Sequence, residues 1–207
     1  MKQEVIKILL VEDHYTTLEG LTAGLQREEG FVIVGACSNA HEGLALVEEH
    51  RPDVAVLDLH LPGDMTPKEM IREYIRYPLM KIVVFSAENR MAYIQAVVSM
   101  GVAAYLLKSE RVSKVAETIR RVMKGQTGIV SESISFDYKR ITASEQEVLH
   151  MLGLGMKYQE IAEQRGTSIA TTRKQTEVLL LKLGLESREQ LIAWAVKNGY
   201  GAVEVSR

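Results

Sequence analysis

One cysteine in 207 residues, Cys37, excludes an intrachain disulfide framework and a cysteine-rich metal site. It closes an apolar run, Phe31 to Ala36, and is expected to be a semi-buried strand residue. No apolar stretch approaches the ~20 residues needed to span a bilayer. The opening MKQEVIKILLVEDH has a short apolar stretch stopped by acids, unlike a secretory signal. A cytoplasmic protein without a membrane partner is therefore expected. An excess of either charge is also lacking, with 25 Lys and Arg against 27 Asp and Glu. Residues 1–125 carry 15 basic and 17 acidic groups, and 126–207 carry ten of each. Neither half is broadly basic, so nucleic-acid binding would need a local patch or two chains acting together. The sequence has no Gly-rich phosphate loop, no nucleophile elbow, and no pair among His14, His41, His50, His60 and His150 at metal-ligand spacing. A metabolic enzyme is thus not expected, and the histidines read as surface or loop residues.

What is present falls into two patterns. Up to about residue 124, short runs rich in Val, Ile and Leu alternate with amphipathic stretches. The runs are Ile6–Val11, Phe31–Ala36, Val54–Leu57, Lys81–Phe85 and Ala103–Leu107. They suit parallel strands buried on both faces, and five strand–helix repeats predict an α/β domain with a doubly wound five-stranded parallel sheet over 1–124. Thr66-Pro67-Lys68-Glu69 offers an N-cap, a proline at the first helical position and a capping-box glutamate. Residues 125–140, with Gly, Ser and Thr and little apolar periodicity, read as a linker. From 141 to 207 only helical periodicity remains. Helices are expected at about 144–154, 157–165, 168–183 and 187–198, forming a small all-α domain.

In a doubly wound sheet, functional groups gather at the carboxyl ends of the strands near the topological switch point. Those ends carry Glu12-Asp13, Asp58, Ser86 and Lys108. Three carboxylates in one crevice repel one another unless a hard divalent cation such as Mg²⁺ joins them through oxygen ligands. One carboxylate can then attack phosphorus, while a hydroxyl and an ammonium hold the phosphoryl oxygens. Each group alone is an ordinary loop or strand-end residue; together, at successive strand ends, they point to one chemistry.

The segments LLVEDH, AVLDLHLPG, VVFSA and AYLLK resemble the signature segments of bacterial receiver domains, over residues 5–123. The resemblance implies a flavodoxin-like fold in which Asp58 accepts phosphate from a sensor histidine kinase. It implies Mg²⁺ bound by Asp13, Asp58 and the main-chain carbonyl of His60, with Glu12 acting through water. Ser86 would contact the phosphoryl group and Lys108 would pair with it. Tyr105 occupies the family's switch-aromatic position; a partly buried strand tyrosine without a switching role fits the spacing equally well. Ser109 stands where the family often has a proline after the lysine, and Thr66 where it tends to have glycine.

In the C-terminal segment, Thr167-Ser168 can cap a helix running through Thr171, Thr172, Arg173, Lys174 and Gln175. Polar residues near such a helix start can reach base edges in a major groove, and cations can contact phosphate. On spacing alone, a small helical interaction module with a solvated charged face is the favoured reading. The segment ITASEQEVLHMLGLGMKYQEIAEQRGTSIATTRKQTEVLLLKLGL is similar to the LuxR-type helix-turn-helix of NarL/FixJ-type response regulators. That similarity implies a transcription regulator that contacts double-stranded DNA through Thr171, Arg173, Lys174 and Gln175. It also implies a homodimer formed through the last helix, with Leu191, Ile192 and Val196. Ser144 replaces a usual arginine, Arg165-Gly166 stands where the family prefers apolar residues, and Glu177 where a base is common. These departures leave a second reading, a receiver whose helical module binds a protein partner.

Overall fold

The computed structural model describes residues 5–134 and 141–201. The end of the expected linker and the last six residues of the expected C-terminal domain lie outside them. The described residues divide into two compact units, one formed by those up to Glu88 with Ala96–Ser131, the other by Asn89–Gln95 with those from Glu132 onward.

The first unit is built on six parallel strands. They are β1 (Ile6–Val11), β2 (Phe31–Cys37), β3 (Val54–Leu57), β4 (Lys81–Ser86), β5 (Ala104–Leu107) and β6 (Ile129–Val130), in the order β2-β1-β3-β4-β5-β6. The interleaved helices are α1 (Tyr15–Leu25), α2 (Ala40–His50), α3 (Pro67–Ile75), α4 (Met91–Ser99), of which only the residues from Ala96 belong to this unit, and α5 (Val112–Met123). The doubly wound parallel sheet is as expected, with one strand more. Ile129 and Val130 pair in parallel with Ala104 and Tyr105, so residues 125–131 are not linker. Ser131 extends the pairing: its N–H donates to the Tyr105 carbonyl, and its hydroxyl accepts from the Leu107 N–H.

Both faces of the sheet are covered, which explains the near-continuous apolar strands. Ile8, Leu10, Val54, Val56, Val83, Phe85, Ala104 and Leu106 pack with Leu21 and Leu25 of α1 and Val115, Ile119 and Val122 of α5. The alternate residues Leu9, Val11, Ala55, Leu57, Ile82, Val84 and Tyr105 are buried on the opposite face. Local chemistry sets the helix starts. Thr66 and Glu69 form the expected capping box ahead of Pro67, and Asn39 caps α2 by accepting from Glu42 N–H.

The second unit contains α6 (Ala143–Gly153), α7 (Tyr158–Gln164), α8 (Ile169–Leu183) and α9 (Arg188–Lys197). Their bounds agree with the sequence expectation to within about a residue. Val148, Leu149 and Leu152 of α6, Ile161 of α7, Leu179 of α8 and Leu191 and Ala195 of α9 form its core, together with Met91 and Tyr200. Met91 opens α4, so the residues 89–95 group with the helical unit and not with residues 1–124 as expected. Ser168 caps α8 as the sequence suggested, its side chain accepting from Thr171 N–H. Between α7 and α8 the chain needs a left-handed residue, and Gly166 supplies it at φ 60°. The Thr167 N–H then donates back to the Ala162 carbonyl. Glycine at 166 is thus required by the turn.

Candidate functional site

The strand order reverses about β1: the chain runs from β1 outward to β2, then crosses to β3 on the other side. This is the switch point of the sheet, where a crevice opens beyond the strand ends. Val11 and Leu57 are paired at the last positions of β1 and β3, so the next residues, Glu12 and Asp58, emerge side by side. Main-chain bonds fix both. Asp58 N–H donates to the Val11 carbonyl and Glu12 N–H to the Cys37 carbonyl.

The two acids are almost fully buried, each 2% exposed, and Ser86 is completely so. Lys108 reaches across from the end of β5, where its N–H donates to the Ser86 carbonyl at the end of β4. Its Nζ lies 2.8 Å from Glu12 Oε1 and 2.8 Å from Asp58 Oδ2. Burial works against the ammonium charge, but hydrogen bonds and attraction from Asp58 and Glu12 outweigh it and hold the Lys108 pKa above the ordinary lysine value. Among the described residues no peptide bond is cis, so Lys108 makes this bridge with a trans bond to Ser109. The other Asp58 oxygen, Oδ1, accepts from the main-chain N–H of His60 at 3.2 Å.

Asp13 sits at the rim of the same cluster. Ligand atoms of Glu12, Asp13, His14 and Asp58 all lie within 4.8 Å of one another. Glu12 Oε2 is buried without a hydrogen-bond partner. A buried carboxylate oxygen in that state is costly unless a cation or water joins it. Three carboxylates that offer oxygen donors suit a hard divalent ion, so the donor set fits Mg²⁺.

His14, expected to be a surface or loop residue, also borders the cluster. Its Nδ1 lies 3.1 Å from Glu12 Oε1 and 2.9 Å from Asp13 Oδ1, with the side chain mostly exposed. The available signal was its position directly after the acid pair. Ser86 and Tyr105 are joined through one loop. Ser86 Oγ accepts from Glu88 N–H, and the hydroxyl of the fully buried Tyr105 donates to the Glu88 carbonyl.

In the helical unit, Thr171, Arg173 and Lys174 are exposed on the first half of α8, and Glu177 with them. The Arg173 guanidinium lies 5.8 Å from the Tyr158 ring centre and that of Arg188 5.1 Å from the same ring, so two cations gather at one aromatic surface. Gln175 differs from its neighbours: it is half-buried and bonded to Arg165 and Ser144. On α9, Leu191 is fully buried in the unit's own core, because the helix turns that face toward α6 and α8. It therefore offers nothing to a second chain. Ile192 packs against the same core, and Val196, 55% exposed, is the one of the three that faces outward.

Comparison with known proteins extends this picture. Residues 8–120 match the sequence profile of the response regulator receiver domain. The chain is 28% identical over 199 residues to the transcriptional regulatory protein DesR of Bacillus subtilis, covering 95% of this chain and 99% of that protein. It is 26% identical over 210 residues to the transcriptional regulatory protein LiaR of the same species, covering 94% and 98%. Among solved structures, the RcsB response regulator of Salmonella typhimurium superposes with a TM-score of 0.63 at 24% identity, over 94% of this chain and 99% of that one. A structure of two RcsB dimers bound to two parallel DNAs gives 0.63 at 22% identity, over 97% and 100%.

Proposed function

The chain belongs to the response regulator receiver family, and on that premise we propose that it is a NarL/FixJ-type regulator phosphorylated on Asp58 and read out as DNA binding. The observation that carries the first half is the buried Asp58 carboxylate, paired with Lys108 and flanked by Glu12 and Asp13 at the switch point. An Asp58 oxygen attacks the phosphorus of a phosphohistidine on a sensor kinase. The P–O bond forms as the P–N bond breaks, and the electron pair leaves with the imidazole nitrogen. Lys108 exchanges its contact with Asp58 for one with a phosphoryl oxygen, and the Ser86 hydroxyl takes another. Asp13, Asp58 and the main-chain carbonyl of His60 would hold Mg²⁺, with Glu12 joined through water. When bound, the ion offsets the charge that builds between carboxylate and phosphoryl group. Tyr105 then reports the Ser86–Glu88 loop position through its hydroxyl.

The second half, binding to double-stranded DNA, is supported by a helix-turn-helix whose capped second helix exposes Thr171, Arg173 and Lys174. The cations near Tyr158 supply the local patch that the even charge balance of this half requires. The relatives DesR and LiaR are named as transcriptional regulators, and RcsB has been seen on DNA. Two chains would double the phosphate contacts of a weakly basic domain, so a homodimer through the exposed side of α9 at Val196 is part of the reading. Cytoplasmic residence follows from such a role, and among the described residues no helix is long and apolar enough to cross a membrane. One observation favours a different partner: Glu177 stands exposed among the would-be contact residues, which suits a protein surface better than phosphate.

Incubation with acetyl phosphate and Mg²⁺, followed on a phosphate-affinity gel, tests the acceptor. The wild type is expected to shift, Asp58→Asn and chelated samples are not. Equal phosphorylation of Asp58→Asn would sink the assignment. Selection from random duplexes, with and without phosphorylation, tests the readout, and a chain that enriches no sequence in either state belongs to the protein-binding reading.

A further inference from the structure

Arg165 caps the C-terminal end of α7, a position from which a long cation would ordinarily extend into solvent. Instead its side chain is only 10% exposed. Its guanidinium donates from Nη1 to Gln175 Oε1 at 2.6 Å and from Nη2 to Ser144 Oγ at 2.7 Å. Nη2 also donates to the Ser144 carbonyl, and Nε to Glu147 Oε2, each at 3.3 Å. Gln175 Nε2 closes the circuit by donating to Ser144 Oγ at 3.2 Å. Three helices are thereby tied together: α6 through Ser144, α7 through Arg165 and α8 through Gln175.

The face that α8 buries in its first turns makes this ring matter. That face consists of Thr172, Thr176 and Leu179. The two threonine hydroxyls are turned back onto their own helix, donating to the carbonyls of Ser168 and Thr172. Over the first two turns the buried face is two threonines, which give little interlocking volume; Leu179 and the Lys182–Glu145 pair anchor the helix farther along. The guanidinium fork is directional and planar, and the amide of Gln175 must present oxygen to arginine and nitrogen to serine. A rotation of about 10° moves a side-chain tip about 6 Å off the axis by about 1 Å, enough to break a hydrogen bond to a base edge.

We propose that Arg165 is a specificity-determining positioning residue: through Gln175 it sets the rotation of α8, so that Gln175 is a strut and base reading falls to Thr171, Arg173 and Lys174. This rests on the reading of α8 as a DNA-recognition helix. The ring is complete in the free protein, so the strut is in place before any DNA arrives. Gln175, already committed in both amide atoms, then differs in role from the exposed residues beside it.

The test uses the full chain, phosphorylated with acetyl phosphate, and the duplex enriched by the wild type. Affinity for that duplex and for a scrambled one is measured by fluorescence anisotropy across a salt series. The variants are Arg165→Ala, Arg165→Lys, Gln175→Ala and the Arg165→Ala/Gln175→Ala pair. Arg165→Ala is expected to lose about tenfold in the ratio of selected to scrambled affinity, the scale of one good base contact. The slope of log affinity against log salt should stay unchanged, because no phosphate contact is removed. Arg165→Lys, which lacks the fork, should not restore the ratio. Gln175→Ala should lose a similar factor, and the double variant no more than either single one. If Arg165→Ala fails to fold by circular dichroism, Arg165→Lys takes its place, alone and paired with Gln175→Ala, and the same non-additivity decides the matter. Unchanged ratios overturn the proposal. So does a slope that falls by about one on losing Arg165, which marks a direct phosphate contact. Additive losses in the double variant make Gln175 an independent base reader and overturn it too. A wild type that enriches no duplex defeats the DNA reading itself, and this inference with it.

Discussion

The pocket around Asp58 and the exposed face of α8 are built on opposite principles. In the pocket Glu12, Asp58 and Ser86 are buried, and Lys108 is held between two carboxylates before any substrate arrives. On α8, Thr171, Arg173 and Lys174 stand in solvent. Transfer of a phosphoryl group requires atoms fixed to within a fraction of an ångström, and a protein achieves that by surrounding them with sheet. Reading a duplex requires groups that face solvent and can turn to meet the partner, so precision must be built underneath the surface. The second unit places that precision in polar links between helices, such as Glu145 with Lys182 and Arg165 with Gln175.

The sharpest way to test this contrast is to remove the pocket's cation. Lys108→Met leaves Glu12 and Asp58 buried beside one another without their counter-ion. Breaking a buried pair from one side costs about 3–5 kcal/mol, which should appear in urea unfolding of the first unit. Millimolar Mg²⁺ should return part of it. Arg173→Ala, on the exposed face, should change stability by less than about 0.5 kcal/mol. Equal effects from the two substitutions would break the comparison.

A smaller effect is expected at Glu145, which links α6 to α8. Its carboxylate accepts from Lys182 Nζ at 2.7 Å and completes the capping box with Thr142. Burial opposes the charge, but Lys182 and the Thr142 bonds outweigh it and hold the pKa below the ordinary 4.5. A carboxyl whose folded pKa is depressed contributes stability above its unfolded value and loses it as pH falls through the folded one. Glu145→Gln should therefore cost the second unit about 2 kcal/mol near neutrality. The gap should hold down to about pH 5, then narrow and close in acid. A gap that is constant with pH would show that packing, not charge, holds α6 to α8.

How much of this was legible in the sequence follows from the range of each interaction. β1 and β3 coincide with the runs Ile6–Val11 and Val54–Leu57, because strands buried on both faces leave an unbroken apolar signal. The capping box at Thr66 is a local, four-residue signal and was equally plain. The pocket residues were readable because a parallel sheet brings successive strand ends together whatever the intervening helices are. β6 was not legible: Ile129 and Val130 follow glycine and threonine, carry no periodicity, and are a strand only because β5 leaves an unpaired edge. The grouping of Asn89–Gln95 with the helical unit follows from burial of Met91, which from its spacing is an ordinary core residue. The Arg165 ring joins residues 21 and 10 positions away, and no local rule announces it.

The smallest of these tests returns to the pocket's own loop. Tyr105 is completely buried on β5, and its hydroxyl donates to the Glu88 carbonyl at 2.8 Å, two residues after Ser86. Tyr105→Phe keeps the ring and removes the hydroxyl, so the first unit should lose about 1 kcal/mol. Phosphorylation of Asp58 should proceed at the wild-type rate, because Lys108, Glu12 and Ser86 keep their contacts. The informative quantity is the increase in DNA affinity on phosphorylation. If the hydroxyl carries the loop's position outward, that increase should shrink in Tyr105→Phe while unphosphorylated affinity holds. If Tyr105 is simply a buried strand tyrosine, the stability loss appears alone, and the coupling between the fixed pocket and the exposed helix must run through another residue.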